Sequence, residues 1–244
     1  VKAGDEVIVT PYTWVATAAA PVYLNAVPVF ADVAPGTYCL DPKAVEAAIT
    51  DRTKAIIPVH LGCRMADMDG LMELAERHGL TVIEDCAHMH GARWRDRGVG
   101  SIGHLGSFSF QSSKLMTAGE GGMILTSDSE LAQRCQSLVN CGRKEPGYDG
   151  FDGSMLGWND RLSEWHAAVL LAQLERLEVQ TELREQNARY LEELLADIPG
   201  IRPLERDARL TRAGNYQVIL RYDPLAFGGA HRDLGLPGHR LLQA

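Results

Sequence analysis

A single lysine, Lys114, ends the stretch Ser107-Phe108-Ser109-Phe110-Gln111-Ser112-Ser113, and a glycine turn, Gly119-Glu120-Gly121-Gly122, follows it. No other lysine or arginine lies between Gly98 and Ser127. An amine among hydroxyls and backbone amides, away from other cations, is biased toward its neutral form once burial removes water. That is the form that condenses with a carbonyl. The same spacing also describes a surface lysine leaving a strand. Asp85, in Glu84-Asp85-Cys86-Ala87-His88, follows an apolar run, and a carboxylate at that depth must be paired or neutralised. It either faces a cationic ring nitrogen or caps the next turn. His88 either donates to a ligand hydroxyl or serves the packing. Trp14 either stacks on a planar ligand or joins the core. Ser109 and the hydroxyls near Lys114 suit a phosphate, with the amides of Gly119–Gly122 as further donors. His60 and His90 receive no role.

Several chemistries are excluded by order and spacing. The lysine precedes the glycines, so this is not a Walker loop, and the glycine turn does not fit the dinucleotide template. There is no GxSxG elbow and no HExxH or paired-histidine spacing. Metal ligation is therefore not expected. The net charge of −8, with basic residues scattered, argues against a nucleic-acid partner. No apolar run reaches the 18 or so residues that a membrane span needs. Five cysteines without a CxxC pair point to buried thiols in a reducing, cytoplasmic compartment.

The elements that must position these groups alternate in type. Asp5–Thr10 reads as a strand, and Val15 to Asn25 as an alanine-rich helix with Thr13 as its cap. Ala26–Asp32 is a second strand, and Asp41-Pro42 opens a helix to about Ile49. Lys54–His60 is a strand buried on both faces, Asp67–His78 an amphipathic helix ended by Gly79, and Leu80–Asp85 another buried strand. This alternation predicts βα units and a largely parallel sheet, with ligands beyond the carboxyl ends of the strands, where Asp32, His60 and Asp85 fall. Met123–Thr126 is expected as a strand, Ser129–Leu138 as a helix and Asn140–Gly157 as a glycine-rich loop. An apolar stripe from Asp160 to about Ala196 marks one long helix or a pair, of the kind that connects domains or packs at a dimer interface. Pro199-Gly200 breaks it, and Asn215–Tyr222 alternates as a strand of a second domain. The opening VKAGDEVIV reads as a turn entering a strand, and Gly228–Ala244 lacks an apolar period, so a piece of a larger protein is expected.

Taken in order, Trp14, the EDCAH segment with Asp85 and His88, SFSFQSSK ending at Lys114, GEGG, and Asn159 in LGWNDRLSE resemble the DegT/DnrJ/EryC1/StrS family of pyridoxal-phosphate-dependent sugar and aminocyclitol aminotransferases. The resemblance runs from Val1 to about Phe227. It implies a fold-type I, three-layer α/β/α large domain with a mostly parallel sheet over 1–158, a connecting or dimer-interface helix region over 159–198, and the start of an incomplete C-terminal α/β domain over 199–244. It further implies an internal aldimine between Lys114 and pyridoxal 5′-phosphate, with Lys114 moving the substrate proton. Asp85 would keep the pyridine nitrogen protonated, Trp14 would stack on the ring, and His88, where the family often has glutamine, would meet the phenolic oxygen. Ser109 would bind the phosphate, and Asn159 would reach the phosphate of a neighbouring subunit's cofactor, making the enzyme at least a homodimer. The family's Gly-Thr or Gly-Ser phosphate loop precedes the segment with which this chain opens. Asp160 stands where the family usually has an aromatic residue.

The implied reaction moves an amino group from glutamate or glutamine, through pyridoxamine phosphate, to a keto-sugar or keto-cyclitol. Retention of Lys114 argues against the sugar dehydratases of the family, which carry histidine there. EDCAHMHGARW leans toward enzymes of cyclitols or aminohydroxybenzoate precursors. The alternatives are a truncated, non-catalytic remnant that dimerises through the long helix, and an α/β small-molecule binder without cofactor.

Overall fold

The computed structural model describes residues 1–144 and 155–227. The chain runs β1 (Glu6–Val9), α1 (Ala16–Tyr23), β2 (Val27–Phe30), α2 (Pro42–Ala48), β3 (Thr53–Ile57), α3 (Met68–His78), β4 (Thr81–Asp85), β5 (Arg93–Trp94), β6 (Arg97–Gly98), β7 (Leu105–Ser109), β8 (Gly122–Leu125), α4 (Ser129–Val139), α5 (Glu164–Leu195), β9 (Ile201–Pro203), β10 (Leu210–Arg212) and β11 (Leu220–Tyr222). Six strands form the main sheet in the order β2-β1-β3-β4-β7-β8. Pairing is parallel through β7, and β8 returns antiparallel.

Strand alternation divides the core. Val7 and Val9 of β1 pack with Ala18 of α1, whereas Ile8 packs with Val45 of α2 and Leu71 of α3. Helices thus cover both faces, and the expected three-layer α/β arrangement is the one observed. Asp41 caps α2 by accepting from the Lys43 amide, and Asp67 caps α3 by accepting from the Gly70 amide. Gly79 ends α3 in the left-handed region at φ 64°.

Two expectations are corrected. Thr13 does not cap α1: the N-cap is Val15, without a side-chain bond. Because the helix begins at Ala16, Thr13 lies too early to reach its free amides, and its hydroxyl meets that of Thr17 at 2.9 Å. The strand expected over Asn215–Tyr222 is confined to Leu220–Tyr222, since Asn215 sits at φ 52° and the Tyr216 amide donates to the Gly62 carbonyl. Of the two arrangements expected for the stripe from Asp160, the single long helix is the one observed, 32 residues capped by Ser163. The expected Asn140–Gly157 loop falls largely, and the Gly228–Ala244 segment wholly, outside the described residues.

Two short additions were not legible in sequence. β10 pairs with β5, which pairs with β6. β9 pairs antiparallel with β11. The buried Arg64 ties this region to the sheet, its guanidinium donating to the carbonyls of Leu204 at 2.5 Å and Glu205 at 2.7 Å. No helix of the described residues is long and apolar enough to cross a membrane.

Candidate active site

Asp85 ends β4, and its backbone is clamped on the β3 side, its amide donating to Pro58 and its carbonyl accepting from His60. Its carboxylate accepts from the Thr17 hydroxyl at 2.8 Å and from the Ala87 amide at 3.2 Å. The turn-capping reading holds for Oδ1, and Oδ2 is held from α1. Alternation along β4 sends Glu84 to the opposite face. There its carboxylate accepts from His60 Nε2 at 3.0 Å and from the amides of Gly100, Ile102 and Gly103. Burial works to raise the Glu84 pKa, but these donors outweigh it and hold the carboxyl below its usual value. His60, Glu84 and Cys86 cluster closely enough for a metal. The carboxylate is nonetheless fully engaged, and His60 Nδ1 accepts from the Ala66 amide, so the cluster is a packing device.

His88 lies beyond Asp85, with Nδ1 accepting from the Gly62 amide at 3.3 Å. That bond fixes the tautomer, leaving Nε2 with the proton as a donor. Burial first, and then the Lys114 charge, lower its pKa to about 4 against the opposing pull of Asp85. Both charged groups therefore act on one neutral imidazole. The Tyr216 ring stacks on His88 at 4.3 Å, and Lys114 Nζ lies 5.1 Å from the centre of the same ring. Tyr216 Oη meets Ser113 Oγ at 3.0 Å. Among the described residues Lys114 is half-buried and makes no ion pair.

The other sequence candidates take varied positions. Trp14, just ahead of α1, is 78% exposed, with its face open to a ligand instead of packed in the core. Ser109 ends β7 opposite Gly122, and its hydroxyl accepts from the Gln111 amide at 3.3 Å. The Gly119 amide is already committed to the Thr117 hydroxyl, so that glycine does not add a phosphate donor. Asn159 is exposed, bridged through its backbone to Asn140 at the end of α4, and its side chain has no partner among the described residues. Thr17 and Tyr216 escaped sequence reasoning. Thr17 reads as one more small residue in an alanine-rich helix, and Tyr216 joins Lys114 only through the fold.

These residues fit a pyridoxal group. An unpaired amine, an aimed carboxylate, an imidazole N–H and an open tryptophan face are what an aldehyde, a ring nitrogen, a phenolic oxygen and a flat ring would each require.

The profile of the DegT/DnrJ/EryC1/StrS aminotransferase family matches residues 1–233. The chain belongs to this family. One relative within it is a Streptomyces kanamyceticus protein provisionally named L-glutamine:3-amino-2,3-dideoxy-scyllo-inosose aminotransferase, 55% identical over 96% of this chain and 56% of its own length. Another is the L-glutamine:scyllo-inosose aminotransferase of Streptomyces griseus, 52% identical over 81% of this chain and 49% of its own. The chain thus spans about half the length of the curated relatives it matches. The crystal structure of 3-amino-5-hydroxybenzoic acid synthase superposes with a TM-score of 0.84 at 42% identity, covering 91% of this chain and 58% of that one. S. venezuelae DesV, solved in complex with a ketimine intermediate, gives 0.85 at 37%, covering 96% and 62%. The family's fold-type I architecture agrees with the sheet described above.

Proposed function

We propose that this chain carries the catalytic core of a pyridoxal-phosphate-dependent aminotransferase that moves an amino group from glutamine to a keto-cyclitol. The observation that carries the reading is that the Tyr216 ring stacks on His88 while Lys114 Nζ lies 5.1 Å from the centre of the same ring, with Asp85 at the carboxyl end of β4 three residues before His88. The glutamine donor and the inosose-type acceptor follow the names of the relatives, and the sequence lean toward cyclitol enzymes agrees with them.

Pyridoxal phosphate, when bound, supplies an aldehyde for the amine and a ring that withdraws electrons from the reacting carbon. Lys114 would hold that aldehyde, and its Nζ is the group that would take and return the substrate proton. Asp85, aimed by Thr17, keeps a proton on the ring nitrogen. His88 offers Nε2–H to the phenolic oxygen, and because its imidazole stays neutral it does so across the physiological range. Trp14 covers the ring, and Ser109 takes the phosphate. Asn159 serves the site of a second copy, which makes the enzyme a homodimer with shared sites. The apolar side chains exposed along α5 support that assembly. The five unpaired cysteines support a reducing, cytoplasmic setting.

The test is an absorption spectrum of the purified protein with added pyridoxal phosphate, beside Lys114→Ala. The reading expects a yellow band that borohydride removes, absent in the variant. A colourless full-length protein would sink it.

A further inference from the structure

We infer that Tyr216 is a positioning residue for the reaction: through its amide, ring and hydroxyl it ties His88 to the turn that carries Lys114, and so fixes the imidazole N–H and the amine relative to one another. The inference rests on the aminotransferase reading, in which both groups meet one bound ring.

His88 and Lys114 come from different elements. His88 follows β4, and Lys114 follows β7 in a turn closed by its own amide, which donates to the Gln111 carbonyl at 2.9 Å. Tyr216 touches both. Its ring stacks on the imidazole at 4.3 Å, 20° from parallel. Lys114 Nζ lies 5.1 Å from the centre of that ring, within the range in which an aromatic face attracts an ammonium. The Tyr216 amide donates to the Gly62 carbonyl at 3.1 Å, and the Gly62 amide donates to His88 Nδ1 at 3.3 Å. Stack and backbone bridge together hold the imidazole. The ring also helps keep water from it, and burial is the foremost cause that lowers the His88 pKa to about 4, ahead of Lys114 and against Asp85.

The hydroxyl bond has a fixed direction. The Ser113 amide, an obligatory donor, lies 2.9 Å from Gln111 Oε1, so that atom is the amide oxygen. The same oxygen accepts the Ser113 hydroxyl proton at 2.7 Å. A serine hydroxyl has a single proton, which leaves Ser113 Oγ as the acceptor toward Tyr216 Oη at 3.0 Å. Tyr216 is therefore the donor, and its phenol is tethered to the residue next to Lys114.

Tyr216 is itself held from α5. Arg184 Nε donates to the Gly214 carbonyl at 3.1 Å, and Asn215, at φ 52°, donates through Nδ2 to Glu185 at 2.6 Å. Gly214 lies against the His88 segment, where a Cβ would come within 3.1 Å of the His88 carbonyl oxygen. The residues before Tyr216 are thus pinned on two sides, which gives the ring a rigid base. Misplacing a reacting group by about 1 Å costs on the order of a hundredfold in rate, so a clamp on both groups acts on the chemical step.

The experiment has two readouts. In the cofactor-free protein the His88 ring is titrated by NMR of labelled histidine, assigned with His88→Gln, in wild type, Tyr216→Phe and Tyr216→Leu. Tyr216→Phe keeps the stack and should leave the midpoint at about 4, whereas Tyr216→Leu should move it up toward 6.5. In the loaded enzyme, single-turnover rates with glutamine are measured for Tyr216→Phe, Ser113→Ala and the double variant, beside the Kd for pyridoxal phosphate. Each single variant cuts the tether and should slow turnover about three- to tenfold, in line with loss of a neutral hydrogen bond, at an unchanged cofactor Kd. The double variant should be no slower than either. A wild-type midpoint in Tyr216→Leu, or wild-type rates in the tether variants, overturns the proposal. So does an additive double variant, or a rate loss matched by an equal loss of cofactor binding, which would make Tyr216 a packing residue alone. Should Tyr216→Leu not fold, the tether variants decide. If the loaded wild type does not turn over glutamine, the aminotransferase reading fails by itself, and the NMR titration still decides whether Tyr216 holds His88.

Discussion

At the scale of single residues, the Asp85 carboxylate is held by one side-chain donor besides its own turn. Thr17 is buried and donates to Oδ2 at 2.8 Å, and a bond to a charged group contributes roughly 1.5–3 kcal/mol. Thr17→Val keeps the size of the side chain and removes the donor. It should weaken pyridoxal phosphate binding by about tenfold, read from quenching of protein fluorescence, with little change in the fold. His90 sets a pH dependence. It is 2% exposed and lies against Phe108 and Phe110, with only the Ser109 backbone close enough to favour its charged form. Burial foremost lowers its pKa from 6.5 to about 4. The unfolded chain therefore takes up a proton near pH 6.5 that the folded chain refuses until about pH 4. Stability from this group is present above pH 6.5 and is lost as pH falls between those values. Replacing His90 by Phe should flatten the slope of unfolding free energy in that window by about one proton, ~1.4 kcal/mol per pH unit, measured by urea unfolding. The lysine and Asp85 were legible from residue type and order. Thr17 was not, because a hydroxyl in a helix says nothing about a strand 68 residues away that it will meet.

At the scale of elements, β7 is placed by a backbone contact that only glycine permits. A Cβ on Gly106 would meet Gly100 Cα and O at 2.3 Å. Gly100 itself has φ 86°, and its amide donates to Glu84. Gly106→Ala must push β7 from this loop, which loosens the Glu84 cradle and shifts Ser109 and Lys114 downstream. A loss of about 1–3 kcal/mol or more is expected from overpacking, visible as a lower urea midpoint. Elements of strong periodicity were readable: β1, α2, α3, β4 and α5 lie close to where their patterns put them. β5, β6, β9 and β10 were not, since two- and three-residue strands have no period and exist only where a partner meets them.

At the scale of the whole molecule, α5 presents Trp165, Leu171, Leu174 and Val179 to solvent, Trp165 being 86% exposed. Met123, Ile124 and Leu125 of β8 are exposed as well. A surface of this kind marks a contact with another chain. With a second copy as the occupant, Trp165→Glu should shift sedimentation from dimer toward monomer, and the proposed role of Asn159 in the partner's site predicts that cofactor retention falls with it. A dimer unchanged by this substitution would place the interface elsewhere.

The sequence by itself determined the parallel α/β scaffold, because hydrophobic period and helix caps are local properties that each element carries alone. It also determined the family and the order of Trp14, Asp85, His88 and Lys114. Only the tertiary structure decided which groups surround them. Tyr216 comes more than a hundred residues after His88 to stack on it, and Arg64 reaches Leu204. The Tyr216–His88 and Arg64–Leu204 contacts depend on where separate elements cross, and no local pattern records that.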